Sequence, residues 1–460
     1  MNTAEAAGSI GARLDRLPST RTIWRLIALL SLGGFFEYYD LFFTGYIAPG
    51  LVQSGILTAS TYSLSGTTGI ASFVAAMFSG LFLGTALFGF VADRFGRRTV
   101  FTYSLLWYTI ASVIMALQND VTGLNFWRFI SGIGVGVELV TIDTYLSELV
   151  PRQLRGRAFA FNQTIQFSSV PLVALLAWLL VPRMPLGFAG WRWVVLIGAG
   201  GAGLVWWIRR GVPESPRWLA QQGRLAEAKV ILDQLEIQVA VESGSALPPP
   251  AKADPPSPRG SFTDICKPPY RSRTLMLIIF NVFQTVGFYG FSNWVPTLLI
   301  RRGVPVVNSL EYTFLIAVAA PCGPLLAYKL ADKFERKWQI VLAALGVGLF
   351  GILFAQMTQA PMLIGLGIML TMSNNILSFS FHAYQAELYP TRIRALAVGF
   401  VYSWSRLSVV FSAFLIAFVL DRFGVAGVFT FIAGSMLVVM LAIGFLGPRT
   451  KQLALETISK

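Results

Sequence analysis

Disulfide frameworks and catalytic metal clusters are excluded first, because the sequence has almost nothing to build them from. Its 460 residues include two cysteines and one histidine. Cys266 falls in a polar loop and Cys322 within an apolar run, so the two offer no disulfide scaffold. No G-x-x-x-x-G-K-[ST] nucleotide loop, H-E-x-x-H pair or Cys/His cluster occurs. That argues against a primary pump or a membrane enzyme, and it calls for no metal and no cofactor. Charge is scarce too. Charged residues make up 13% of the chain and hydrophobic ones 55%, far from a soluble globular balance. A cleavable leader is not expected either: the stretch before Trp24 is polar, and the first apolar run is long and carries two acids.

What is present is a series of apolar runs of bilayer-spanning length, about 20 residues each. They fall at 25–48, 68–92, 98–117, 124–147, 157–182, 192–208, 273–300, 312–331, 338–356, 362–386, 394–419 and 424–447. An all-α membrane protein with twelve transmembrane helices is expected. The net charge of +14 could suggest a nucleic-acid partner, but its distribution excludes one. Loops on one side hold nearly all the lysines and arginines, whereas the opposite side holds only Arg183, Arg192, Arg301, Arg302 and Arg422. The positive-inside rule then puts both termini and the central loop in the cytoplasm. The expected units are 1–208, a first bundle; 209–272, a cytoplasmic loop; and 273–460, a second bundle. Residues 214–236 have helical spacing with mixed charge, and 247–258 form a proline-rich linker.

The two bundles repeat each other. Asp93-Arg94-Phe95-Gly96-Arg97-Arg98 closes one apolar run and Asp332-Lys333-Phe334-Glu335-Arg336-Lys337 another, 239 residues later. Glu148-Leu149-Val150-Pro151 with Arg155 recurs as Glu387-Leu388-Tyr389-Pro390 with Arg394, at the same offset. Two unrelated motifs sharing one offset indicate a duplicated half. Repeated membrane bundles place a substrate site between the halves near midplane and rock around it. Transport is therefore the first functional reading.

Ionisable groups inside spans cost about 2.5–3.5 kcal/mol each at a helix centre on insertion scales, so they need a reason. Here they are Glu37 and Asp40 in span 1, Arg128, Glu138 and Asp143 in span 4, His382 in span 10 and Arg406 in span 11. At 1.5 Å per residue, Asp40 lies roughly 22 Å above the cytoplasmic edge and Arg128 about 24 Å. They share a level, either as a static ion pair or as a carboxylate that trades its arginine for a proton, with Glu37 nearby as a second candidate. Arg406 sits near midplane, and spans 7 to 12 offer no acid at that depth. It pairs either with Glu37 or Glu138 across the interface or with a substrate carboxylate. Asp143 and His382 occupy matching repeat positions and suit a proton relay or gate, or simple helix packing. Gln163, Gln166, Asn281, Gln284 and Asn293, with Tyr38, Tyr39, Phe288, Tyr289 and Trp294, suit either a small polar organic ligand or interhelical bonding. Asn374 and Asn375 read as packing residues, and Gly132, Gly134 and Gly136 as points of close helix approach.

These motifs resemble those of a known family. Residues 89–98, the Arg128 and glycine pattern of span 4 with 148–157 after it, and Pro213-Glu214-Ser215-Pro216-Arg217-Trp218-Leu219 are similar to the signatures of the major facilitator superfamily. With the repeat copies, the resemblance covers nearly the whole chain. It implies two pseudo-symmetric six-helix bundles and rocker-switch alternating access. It also implies a cytoplasmic charge network of Asp93, Arg97, Arg98, Glu148, Arg155, Glu214 and Arg217, with Asp332, Arg336, Glu387 and Arg394, that latches the outward-open state. Glu335 in place of Gly96, and Arg449 where sugar porters carry Glu, depart from the pattern and point to a weaker second-half latch. Gly34 through Asp40, Gly45, Tyr389-Pro390-Thr391 and Arg406 look most like the aromatic-acid, nicotinate-like and organic-anion branch. The resemblance implies a monomeric, proton-coupled symporter of a small organic anion in a bacterial inner membrane, its partners the substrate, protons and lipid. A sugar or polyol symporter, and an uncoupled facilitator or exporter, are the alternatives.

Overall fold

The computed structural model describes residues 3–58, 69–208, 211–250, 261–330 and 334–449. A short helix, α1 (Thr3–Asp15), precedes the spans of the first half: α2 (Arg21–Gln53), α3 (Ile70–Phe95), α4 (Arg97–Ala116), α5 (Val121–Leu149), α6 (Arg155–Leu180) and α7 (Gly190–Ile208). Two cytoplasmic helices follow, α8 (Pro216–Gln221) and α9 (Leu225–Ser243). In the second half, span 7 is α10 (Tyr270–Ser292) plus α11 (Val295–Arg301), and span 8 is α12 (Val306–Ala317) plus α13 (Cys322–Leu330). Spans 9 and 10 are α14 (Arg336–Gln356) and α15 (Ala360–Glu387). The last two spans run through α16 (Thr391–Leu441), which turns at Gly424, where φ is 65°. Only glycine takes that conformation without strain. Among the described residues, nine helices are long and apolar enough to cross a membrane by length and composition. Adding α3 and α7 and dividing α16 at Gly424 gives the twelve spans expected.

The differences from the expected spans have local causes. Span 8 begins at Val306, earlier than expected, because Asn308 and Glu311 lower its hydropathy without interrupting the helix. Span 7 breaks before Pro296, which has no N–H to give the helix. Span 8 breaks before Cys322, where the Ala320 carbonyl has only a long 3.4 Å bond from the Gly323 N–H; the Asn375 amide donates to it at 2.9 Å. Such side-chain rescue is how a broken helix is tolerated in hydrocarbon.

The duplication is visible in side-chain pairing. Arg97 pairs with Glu148 at 3.0 Å, and Arg336 pairs with Glu387. Arg155 donates to the Val150 carbonyl at 3.3 Å and Arg394 to that of Tyr389 at 3.2 Å. Every partner is displaced by the same 239 residues. Within the first half, Gly132 and Gly136 face the α3 backbone at Met77 and Leu81, where a Cβ would collide with carbonyl oxygens. Gly134 faces α4 at Trp107 and Tyr108 instead. The halves meet through aromatics: Phe42 and Phe167 each lie 6.4 Å from Phe288, Phe78 lies 4.6 Å from Tyr289, and Trp178 stacks on Phe314 at 5.8 Å.

A separate apolar cluster lies on the cytoplasmic side. Ile10, Leu14 and Leu17 bury against Trp218, Leu232 and Val239. Arg13 pairs with Asp233 and Glu236, Arg16 pairs with Glu236 at 2.8 Å, and Asp15 accepts from Arg217 at 2.7 Å. The N-terminal stretch reads as merely polar from composition, yet α1 docks on α8 and α9. Its signal was the i, i+4 pair Ile10 and Leu14. Residues 247–250 take no regular structure, and the rest of the proline-rich linker lies outside the described residues.

Candidate functional site

Span 1 carries the first cluster. The Asp40 carboxylate accepts from Arg128 Nη1 at 2.8 Å, from Ser112 Oγ at 2.8 Å and from Ser131 Oγ at 3.3 Å. Arg128 also donates to the Asp40 main-chain carbonyl at 2.6 Å and to Thr44, and its guanidinium lies 4.2 Å from the Phe43 ring. Both partners are buried. The cluster belongs wholly to the first half, with α2, α4 and α5 supplying its members. Equal depth placed Asp40 and Arg128 at one level; Ser112 and Ser131 were not foreseen, since hydroxyls cost little in a span and leave no mark on hydropathy.

The second cluster surrounds Arg406 on α16. Its Nη1 donates to the Tyr289 hydroxyl at 2.7 Å, its Nη2 to the Tyr402 hydroxyl at 2.9 Å, and the guanidinium lies 4.8 Å from the Tyr402 ring. Arg406 is 2% exposed, and its Nε lacks a hydrogen-bond partner. Among the described residues no ion pair joins Arg406 to an acid, and Glu37 and Glu138 are both fully buried. Each phenol oxygen accepts from the guanidinium, which leaves its O–H free to donate. Arg406 Nε–H and two phenol O–H groups therefore form a donor set suited to an anion. This cluster borders a cavity of about 30 Å³ between the halves, walled by Tyr38, Phe42, Phe167 and Phe288 on one part and Gln284, His382 and Tyr402 on another. Its volume is water-sized, so a larger ligand has to turn the phenylalanines aside.

Other predicted site residues lie elsewhere. Tyr38 faces the cavity, but Tyr39, about 100° further round the helix, packs on Gly198 and donates to the Val194 carbonyl at 2.7 Å. Gln166 is buried against Gly34, and Gln163 is half-buried on the same helix. Asn293 is fully buried at the break in span 7, its backbone against Gly45 and both amide atoms without a partner. Trp294 is a core residue beside it. Asn281 turns inward onto its own helix and donates to the Leu277 carbonyl at 2.8 Å. The His382 ring lies against Tyr402, 5.3 Å between centroids, with Nδ1 2.7 Å from the Ser378 carbonyl. Asp143 is exposed, and among the described residues no hydrogen bond joins it to His382. Tyr402 was missed, though its i, i+4 spacing to Arg406 was a signal.

On the cytoplasmic side, the Glu214 carboxylate accepts from the backbone N–H groups of Arg97 and Arg98 at 3.1 and 3.0 Å, capping α4. Gly96, with φ of 97°, lets that carboxylate approach. Ser215 caps α8. The described pairs Arg97–Glu148 and Arg336–Glu387 each join residues of one half, and Arg217–Asp15 ties the cytoplasmic loop to the first half. Asp332 and the side chain of Asp93 lie outside the described residues. On the outer side the halves close on one another where Gly45 meets the Asn293 backbone. Two of the few outer arginines cap helix ends there: Arg192 donates to the Ala116 and Gln118 carbonyls after α4, and Arg302 to those of Phe354 and Met357 after α14.

Comparison with known proteins agrees with this architecture. The model of a family described as "Sugar (and other) transporter" matches residues 26–460. The inner membrane metabolite transport protein YdjE of Escherichia coli is 30% identical over 472 residues, 99% of each chain. The niacin transporter NiaP of Acinetobacter baylyi is 28% identical over 450 residues, 97% of this chain and 99% of that one. Among solved structures, the inward-open conformation of the xylose transporter XylE from E. coli is similar with a TM-score of 0.75 at 21% identity, over 95% of this chain and 99% of that one. That likeness shows the fold.

Proposed function

This chain belongs to the sugar (and other) transporter family of the major facilitator superfamily, multi-pass membrane transporters and not enzymes, and on that premise we propose that it is a proton-coupled symporter of a small organic anion. The observation that carries the proposal is Arg406, buried in the interface cavity with no acidic partner among the described residues and one guanidinium N–H unmet. A buried cation without a counter-ion is expensive, and a substrate carboxylate is the charge that relieves it. The aromatic walls of the cavity suit a flat, largely apolar remainder. The similarity to a niacin transporter is in keeping with that chemistry.

In this proposal Asp40 carries the proton. With Arg128, Ser112 and Ser131 all donating to it, the group is satisfied as the anion in a conformation whose outer side is closed. Loading a proton requires those donors to slacken as access alternates. Arg128 would keep its bond to the Asp40 carbonyl throughout and so hold the helices together. Glu37, buried one turn below, is a second candidate for proton exchange. The charge network of Arg97, Glu148, Glu214, Arg336 and Glu387 would stiffen the cytoplasmic ends so that each half moves as a unit. The testing experiment is a thermal-shift screen of the purified protein against mono- and dicarboxylates, sugars and amines. Stabilisation by carboxylates alone supports the reading. Stabilisation by neutral sugars alone replaces it with a sugar or polyol symporter.

A further inference from the structure

A second cavity lies away from the transport path, on the outer surface of the first bundle. It is about 310 Å³ and is walled by Val91 and Phe95 of α3, Thr99, Tyr103 and Trp107 of α4, and Gly134 of α5. Tyr103 and Trp107 are 65% and 50% exposed, so the concavity opens outward, where the bilayer lies. Its wall is fixed, because the Trp107 indole donates to the Ile130 carbonyl at 2.9 Å and Gly134 lets α4 press close. From Thr99 to Trp107 the cavity rises about 12 Å from the cytoplasmic end of the helices. It therefore belongs to the cytoplasmic leaflet, by the same basic-loop topology that orients the chain.

The mouth of this groove is basic. Arg94 and Arg98 are both exposed at the α3–α4 turn that frames it, the Arg94 guanidinium lying 5.5 Å from the Phe95 ring. An apolar slot within hydrocarbon depth, headed by two cations at the level of the cytoplasmic headgroups, matches one ligand class. We propose that it binds one anionic phospholipid of the inner leaflet, an acyl chain in the slot and the phosphate on Arg94 and Arg98. The slot supplies apolar area and the arginines supply preference for negative charge. Its place is structural as well as chemical: the same turn carries Arg97, which pairs with Glu148.

The full-length protein, stripped of lipid in detergent and titrated with phosphatidylglycerol or phosphatidylcholine, can be followed by native mass spectrometry. One phosphatidylglycerol should be retained preferentially. The double variant Arg94→Gln/Arg98→Gln should weaken it by roughly tenfold or more, while leaving phosphatidylcholine unchanged. Thr99→Trp, at an exposed position on the mouth, should weaken both lipids. If the double variant fails to fold, Arg94→Gln alone at an exposed helix end still tests the charge. Equal retention of the two lipids by the wild type would overturn the proposal, as would phosphatidylglycerol binding that neither kind of substitution weakens.

Discussion

Replacing Arg406 by glutamine removes one positive charge and leaves a polar side chain of similar reach. In the unliganded protein the losses are the bonds to the Tyr289 and Tyr402 hydroxyls, at 2.7 and 2.9 Å. Each such bond from a charged donor contributes about 1.5–3 kcal/mol net, and glutamine can recover part of it. Against that loss stands the relief of a buried cation with no acid beside it. The two effects are of similar size, so Arg406→Gln should stay monodisperse with a near-normal melting temperature. For the liganded protein the balance differs. Truncating one partner of a buried, hydrogen-bonded charge pair costs roughly 2–5 kcal/mol, and each 1.4 kcal/mol is a factor of ten. Affinity for a carboxylate substrate should therefore fall by more than about thirtyfold, measured by calorimetry or scintillation proximity on purified protein. Arg406→Lys should recover only part of it, because an ammonium cannot span both phenols and the ligand at once. Wild-type carboxylate affinity in Arg406→Gln, or a best ligand without charge, would refute the organic-anion assignment.

Asp40→Asn should abolish uphill uptake in vesicles with an imposed proton gradient while sparing counterflow exchange, which needs only the loaded carrier to reorient; wild-type accumulation would remove Asp40 from the coupling step. Gly45→Ala should disfavour closure of the outer side, since the added Cβ would meet the Asn293 carbonyl, and cysteine labelling from outside should rise. Docking of α1 should depend on pH through Glu236. Burial works against that carboxylate, but hydrogen bonds from Arg13 and Arg16 outweigh it and hold the group below the usual carboxylate range. A folded value below the unfolded one means the stabilisation is fully present above about 4.3 and is lost as pH falls through the folded value. Protection of residues 3–15 against hydrogen exchange, corrected for the intrinsic rate at each pH, should accordingly fall in acid, and equal protection at acid and neutral pH would show that apolar contacts alone hold the helix.

Much of this protein was legible along one axis. A 30 Å hydrocarbon slab and a 1.5 Å rise per residue turn sequence position into depth, which is why Asp40 and Arg128 could be set at one level before any coordinates. The 239-residue offset revealed the duplication, and the basic loops oriented it, because both are written in residue type and order alone. Rotation about each helix and contacts between distant segments are not written that way. Tyr38 and Tyr39 have the same depth and chemistry, yet one faces the cavity and the other bonds to Val194. Arg406 was recognisable as a buried cation and Tyr402 lies one turn before it on the same helix, but its other phenol partner, Tyr289, comes from packing α10 against that helix. Asp143 and His382 matched by repeat symmetry, yet among the described residues no hydrogen bond joins them, since symmetry relates positions without itself bringing them into contact. The docking of α1 on α9 joins residues more than 200 apart, where a few apolar contacts and ion pairs decide the outcome. The bilayer sets how deep each residue lies; side-chain packing between helices decides which way it points.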